Sequence, residues 1–335
     1  VTDAQISWDG SQVAFVIGDQ FIVSTKLPKS NIWSVPTTGG EPQLLTTGTR
    51  ADTTPRWSPD GETLAFLSDL IEDGQRQIYL LPKGSAEATR LTDIEGIIPT
   101  PRGLNPISWA PDGRTIAFLK TDPEDEDRRR RKREKDDAIE FEKSLEYTRL
   151  YLADVETGVV SSASPEGLQI WEFCWSPSGQ EFAAVASDLP FEQSWYTCRL
   201  TKFSVNGSSE SMLHQDSRQI AKPVWSPDGS TVAFISSNWS DRGVVAGGIF
   251  LIPYTGGQAR ELSVGHVAST SWLEWSRDSL RLLTVAHERG ETGISEVEVD
   301  SGARRSLWRG AAVFAESNWP QFSSDSEGTL AIVSE

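Results

Sequence analysis

The chain has 335 residues, 37% of them hydrophobic and 24% charged, with a formal net charge of −17 and a mean hydropathy of −0.36. That composition excludes a disordered chain, and no apolar run approaches the ~18–20 residues of a membrane helix. The acidic balance argues against a nucleic-acid partner, because a phosphate backbone would be repelled. Thirteen Trp, 27 Gly and 18 Pro against one Met favour strands and tight turns over helices. Two cysteines are too few for a disulfide scaffold. The first residue is Val1 and no charged-then-apolar leader follows it, so the expected compartment is the cytoplasm.

A turn signature recurs along the chain. It is clearest at Trp57-Ser58-Pro59-Asp60-Gly61, Trp109-Ala110-Pro111-Asp112-Gly113, Trp175-Ser176-Pro177-Ser178-Gly179 and Trp225-Ser226-Pro227-Asp228-Gly229. Degenerate copies begin at Ile6, Trp275 and Phe322, which makes seven. Aligned on the Asp position, the copies lie 51, 52, 66, 50, 50 and 47 residues apart. Pro presets φ in such a turn, Asp bonds the local backbone, and Gly tolerates the exit geometry. An apolar stretch follows each copy, as at Val13-Ala14-Phe15, Thr63-Leu64-Ala65-Phe66-Leu67, Ile116-Ala117-Phe118 and Val232-Ala233-Phe234. Apolar on both faces, it reads as a strand held between two other sheets. A second hairpin comes next, as at Ile32-Trp33-Ser34-Val35-Pro36, Ile78-Tyr79-Leu80-Leu81-Pro82 and Ile249-Phe250-Leu251-Ile252-Pro253. Short closing strands such as Gln43-Leu44-Leu45-Thr46 complete the unit. Four strands per ~50-residue repeat are the signature of a propeller blade. The expected fold is therefore all-β, a seven-bladed β-propeller with its last blade incomplete, in a single domain spanning residues 1–335. The last repeat reaches Glu335 after two strands, so the chain is expected to be a piece of a longer polypeptide.

The long third interval holds a charged insertion, residues 122–146. It opens acidic (Asp122 to Asp127) and turns basic from Arg128 to Lys135, with seven basic residues and one acidic. Such a run reads as a solvated charged loop or short helix neutralised by its own acidic flank, since no aromatics are interleaved for base stacking. His214, His266 and His287 are isolated in sequence, so no metal site is expected. Cys174 and Cys198 fall on the first and third strands of the fourth repeat. Two inter-strand steps separate their Cα atoms by roughly 9.5 Å, beyond the ~6.8 Å reach of a disulfide. The turn Asp residues lie one per blade, too dispersed for a calcium cage. The repeated Trp is expected to pack between blades rather than to stack a ligand.

These repeats, opening at Ile6-Ser7-Trp8-Asp9-Gly10-Ser11-Gln12-Val13-Ala14-Phe15, resemble the N-terminal propeller of the prolyl oligopeptidase family of serine peptidases, in its acylaminoacyl-peptidase and dipeptidyl-peptidase-like branch. The segments Asp136-Asp137-Ala138-Ile139-Glu140-Phe141 and Tyr147-Thr148-Arg149-Leu150 resemble a loop and strand of that branch. The resemblance implies a propeller that gates and screens short peptides for its own C-terminal α/β-hydrolase domain, which carries the Ser-Asp-His triad. No Gly-x-Ser-x-Gly elbow occurs in the 335 residues, so no catalytic residue is expected here. Relatives that hold a free α-amine do so with acidic residues on a propeller insertion. By position, this makes Asp136, Asp137, Glu140 and Glu142 the candidate substrate-binding residues. Neither a cofactor nor a membrane partner is implied. The competing reading is a TolB-like propeller that serves as a protein–protein interaction module, because TolB-like propellers share the turn signature.

Overall fold

The computed structural model describes every residue except 20–28, 73, 101–104, 125, 137–144, 239–244, 313, 315–320 and 335. Six four-stranded antiparallel sheets follow one another along the chain, at residues 2–44, 52–90, 107–162, 169–214, 219–261 and 269–310. In each, the four strands pair in chain order, which is the meander of a propeller blade. The seventh turn copy forms only a two-stranded hairpin, Ser323–Ser324 with Leu330–Ala331. The propeller therefore has six blades, not the seven expected from counting turns. The turn signature marks the first hairpin of a repeat. A blade also needs the second hairpin, and after Phe322 the described residues supply none.

The turn chemistry explains why the signature repeats. In blade two, the Ser58 N–H donates to the Thr63 carbonyl (2.8 Å), and the Ser58 hydroxyl accepts from the Thr63 N–H (2.9 Å). Asp60 accepts from the Ser58 hydroxyl and from the Glu62 N–H at 3.0 Å. Gly61 follows at φ +73°, in the left-handed region that a Cβ disfavours. Ser226 with Asp228 and Ser276 with Asp278 repeat the arrangement. These bonds hold the Asp carboxyls below their ordinary range, Asp278 at about 2.

The second strand of each blade carries the core. In blades one, two, three and five its central aromatic faces an aromatic on the third strand: Phe15 opposite Trp33, Phe66 opposite Tyr79, Phe118 opposite Tyr151 and Phe234 opposite Phe250. The rings of the last three pairs lie 5.7, 6.0 and 5.7 Å apart, stacked in the first and third and tilted in the second. Between blades the sheets bury a continuous apolar layer. Leu67 and Ile78 of blade two, for example, meet Ile107, Ile116 and Phe118 of blade three. A hydroxyl past the fourth strand then ties back to the third. Thr46, Thr92, Ser164 and Ser263 accept from the N–H groups of Ile32, Ile78, Leu150 and Ile249 at 2.9–3.1 Å.

The repeated Trp joins neighbouring blades by a hydrogen bond as well as by packing. The indole N–H donates backwards to the innermost strand of the preceding blade: Trp57 to the Gln5 carbonyl (3.2 Å), Trp109 to Arg56 (2.9 Å), Trp175 to Ser108 (3.3 Å) and Trp275 to Val224 (3.0 Å). Trp225 is the exception, donating to Gly229 in its own turn (3.1 Å). Replacing Trp109 by Phe should therefore cost about 1–2 kcal/mol in urea unfolding, because the half-buried Arg56 carbonyl loses its indole donor. The same change at Trp225 should cost less, since its acceptor lies in an exposed turn. Equal losses at both positions would contradict the inter-blade assignment.

Candidate functional site: the central channel

Of the candidate acidic residues of the insertion, only Asp136 lies among the described residues. A helix spans Glu126–Glu134, and Asp136 lies exposed just beyond it, its N–H donating to the Arg131 carbonyl. Asp137, Glu140 and Glu142 lie outside the described residues. Four residues of its basic run pair with acidic residues of the helix or its acidic flank. Asp127 pairs with Arg130 and Arg131, Glu124 with Lys132, and Glu126 with Arg133. The three histidines stand apart: His214 pairs with Asp216, His266 bonds the Gly302 carbonyl, and His287 meets Thr292. No group of three or more His, Cys, Asp or Glu is placed to hold a metal among the described residues. Cys174 and Cys198 are both free thiols. Burial pushes each up to about 12, which leaves them protonated and unreactive at neutral pH.

The polar chemistry that sequence reasoning missed lies on the innermost strands, which surround the channel. These are Thr2–Ile6, Asp52–Trp57, Ile107–Trp109, Gln169–Trp175, Gln219–Trp225 and Ser269–Trp275. Five of them break register against their second strand three to four residues before the turn motif. In blades one, two and five the break places Asp3, Thr54 and Lys222 at φ of 52–57°. A β-branched Thr there is strained, and such bulges re-aim side chains. The residues at this position in blades four, five and six are Glu172, Lys222 and Trp272.

Those three make a chain around the ring, with Glu172 and Lys222 buried and Trp272 half-buried. The Lys222 N–H donates to Glu172 Oε2 (2.9 Å), and Lys222 Nζ stands 5.0 Å from the centre of the Trp272 ring. Burial pushes the Glu172 carboxyl up and the Lys222 ammonium down, while their mutual attraction opposes both shifts. This contact lies between blades four and five, where Trp225 turns away from the preceding blade. An acid and a base thus stand together where the indole clamp is missing.

On the other side, Asp3 binds Arg56 at 2.7 Å, and Arg56 Nε donates to Asn105 (2.9 Å). Gln5, Arg56, Ser108 and Glu274 occupy one position, just before the turn motif, in blades one, two, three and six. Together with Ser323, Ser324, Trp8, Trp57 and Trp109 they line a cavity of about 350 Å³ at the channel mouth. Glu274 accepts from the Ser324 hydroxyl (2.8 Å) and more weakly from Trp272 Nε1 (3.3 Å). Desolvation outweighs these bonds and lifts its carboxyl to about 7. The ring closes beside it. The Ser323 hydroxyl accepts from the Ile6 N–H (2.8 Å) and donates to the Ala4 carbonyl (3.2 Å), while the Ser326 N–H donates to the Trp8 carbonyl (3.0 Å).

Comparison with known proteins gives this architecture a class. No family model matches the chain. It is 32% identical over 194 residues to the uncharacterized peptidase YuxL of Bacillus subtilis, a match covering 54% of this chain and 28% of that protein. It is 22% identical over 352 residues to dipeptidyl-peptidase 5 of Porphyromonas gingivalis, covering 94% of this chain and 49% of that one. The fold superposes on an acylaminoacyl peptidase of Pyrococcus horikoshii with a TM-score of 0.68 at 16% identity, across 100% of this chain and 48% of that one. The chain spans about half the length of these relatives, or less. The resemblance to propellers of prolyl-oligopeptidase-type peptidases therefore holds in sequence and in fold.

Two expectations follow from the channel residues. Replacing Glu172 by Ala leaves Lys222 buried without its counter-charge and should cost about 3–5 kcal/mol, whereas Glu172→Leu with Lys222→Met should recover most of that loss. Glu274 is an acid whose folded pKa lies above its unfolded value, so the folded state holds the proton more tightly. Its effect on stability is absent below about pH 4.5 and becomes a growing penalty as pH rises to about 7, reaching roughly 3 kcal/mol. Glu274→Gln should flatten that fall in urea titrations, and an unchanged pH slope would contradict the assignment.

Proposed function

We propose that the chain is the non-catalytic propeller of a serine peptidase, gating and screening peptides for an α/β-hydrolase domain elsewhere in the same parent polypeptide. The observation that carries this reading is coverage. Nearly all of this chain aligns with about half of a dipeptidyl-peptidase, and all of it superposes on about half of an acylaminoacyl peptidase. What remains of each relative is large enough for a catalytic domain. The chain's own chemistry is consistent with a division of labour. Its thiols are buried and protonated, its histidines stand apart from any serine nucleophile, and it lacks the nucleophile elbow. What it offers is a ring with a polar central channel, a shape that can restrict by size what reaches a site behind it. No helix among the described residues is long and apolar enough to cross a membrane.

In the parent polypeptide, a fluorophosphonate probe should label a serine outside residues 1–335. The isolated chain should leave aminoacyl and acyl-aminoacyl p-nitroanilides intact. Deleting the propeller should broaden the length of peptide cleaved. A labelled serine inside this chain, or unchanged size selection after the deletion, would refute the proposal. Absence of any labelled serine would favour an interaction module instead.

A further inference from the structure

The cavity at the channel mouth has an unusual balance of donors and acceptors. Its donors are largely engaged within the protein. Gln5 Nε2 donates to Asp3 (3.0 Å), Arg56 to Asp3, Asn105 and the Pro55 carbonyl, Ser323 to the Ala4 carbonyl, and Ser324 to Glu274. Among the described lining residues the one cation, Arg56, already has its counter-ion in Asp3. Glu274 does not. Among the described residues no cation pairs with it, and its two hydrogen bonds use half of the roughly four acceptor sites of a carboxylate. Among the described residues, the free capacity of the cavity is thus the lone pairs of one carboxyl group, which becomes negatively charged as pH rises through about 7.

The walls are aromatic. Trp8, Trp57 and Trp109 line the cavity, with Ile6 and Pro59 beside them. Trp57 and Trp109 are locked by their indole bonds to the preceding blades. Trp8 is 44% exposed, and the Arg277 guanidinium lies 4.8 Å from its ring centre, so a cation already rests against this indole from outside the cavity lining. A carboxylate without a counter-ion among electron-rich rings is the arrangement that holds organic ammonium groups. At about 350 Å³ the space suits a small molecule. The acidic chain, at −17, would draw such a ligand in rather than repel it.

We propose that the channel-mouth cavity is a binding site for a small organic cation, a protonated primary amine carried on an aromatic or apolar body, with Glu274 as its counter-ion and the Trp8, Trp57 and Trp109 rings as its walls. The site belongs to the propeller itself and does not depend on the chain serving a peptidase. The ammonium takes up the free lone pairs of Glu274, and the apolar body displaces water from the indoles. Binding favours the ionised carboxylate, so affinity rises with pH through the range in which Glu274 titrates, around 7.

The test is isothermal titration of the purified chain with phenethylamine, with 2-phenylethanol and phenylacetate as neutral and anionic counterparts. A dipeptide amide beginning in phenylalanine, with its N-acetyl form, separates a free amine from a peptide amino terminus as the source of the ammonium. Saturable binding of phenethylamine or of the free dipeptide amide is expected, at least about tenfold tighter than any of the uncharged or acidic forms. Glu274→Gln should weaken it about tenfold and remove its pH dependence, and the exposed Trp8→Ala should weaken it several-fold with the fold intact by thermal melting. The proposal is overturned if no amine binds, if the alcohol or acid binds as tightly, or if a folded Glu274→Gln protein keeps the wild-type affinity.

Discussion

The ring is held by what each innermost strand offers to the blade behind it. A four-stranded blade can bury its faces only against its neighbours, and at four of the turns the indole that begins the motif spans that gap. Its N–H reaches the carbonyl of the residue just before the turn motif of the preceding blade, as Trp109 does to Arg56 and Trp275 to Val224. The bond fixes the radial position of each blade, and the apolar layer between sheets, Leu67 and Ile78 against Ile116 and Phe118 among others, fills in around it. Because the same position also lines the channel, packing and channel chemistry are set by one stretch of sequence.

Two places in the ring depart from this scheme, and the polar groups gather there. Between blades four and five Trp225 bonds its own turn, and Glu172 and Lys222 bridge the gap instead. Between blade six and blade one the seventh repeat contributes a two-stranded hairpin, and serine hydroxyls do what indoles do elsewhere. Ser324 at that seam bonds Glu274, so the carboxylate with free capacity lies where the ring is joined by its shortest element.

The turn motif made the propeller legible, because Ser, Pro, Asp and Gly each satisfy a separate bond or φ requirement that recurs unchanged at residues 58–61 and 226–229. The inter-blade role of Trp was legible for the same reason. The blade count was not, since a turn copy at Asp325 reports a first hairpin and is silent about a second. The charged channel was signalled only by single residues inside otherwise apolar strands: Glu172 in Ile170-Trp171-Glu172-Phe173, Lys222 in Ile220-Ala221-Lys222-Pro223, and Glu274 in Trp272-Leu273-Glu274-Trp275. Those strands are far apart in sequence, and only the circular closure of six sheets makes the residues neighbours. The insertion was legible as a short charged helix with an acidic flank, and of its candidate residues only Asp136 lies among the described ones. Its conspicuous charges pair among themselves along one exposed helix.

The serine hairpin closes the ring, and residue-resolved hydrogen exchange at the Ile6 amide tests that closure. The Ile6 amide, whose acceptor is the Ser323 hydroxyl, should exchange as slowly as strand amides within blade one. It should lose that protection in Ser323→Ala while amides of blades three and four keep theirs. An Ile6 amide that exchanges freely in the unaltered chain, or that is indifferent to Ser323, would show that the ring is not closed in this way.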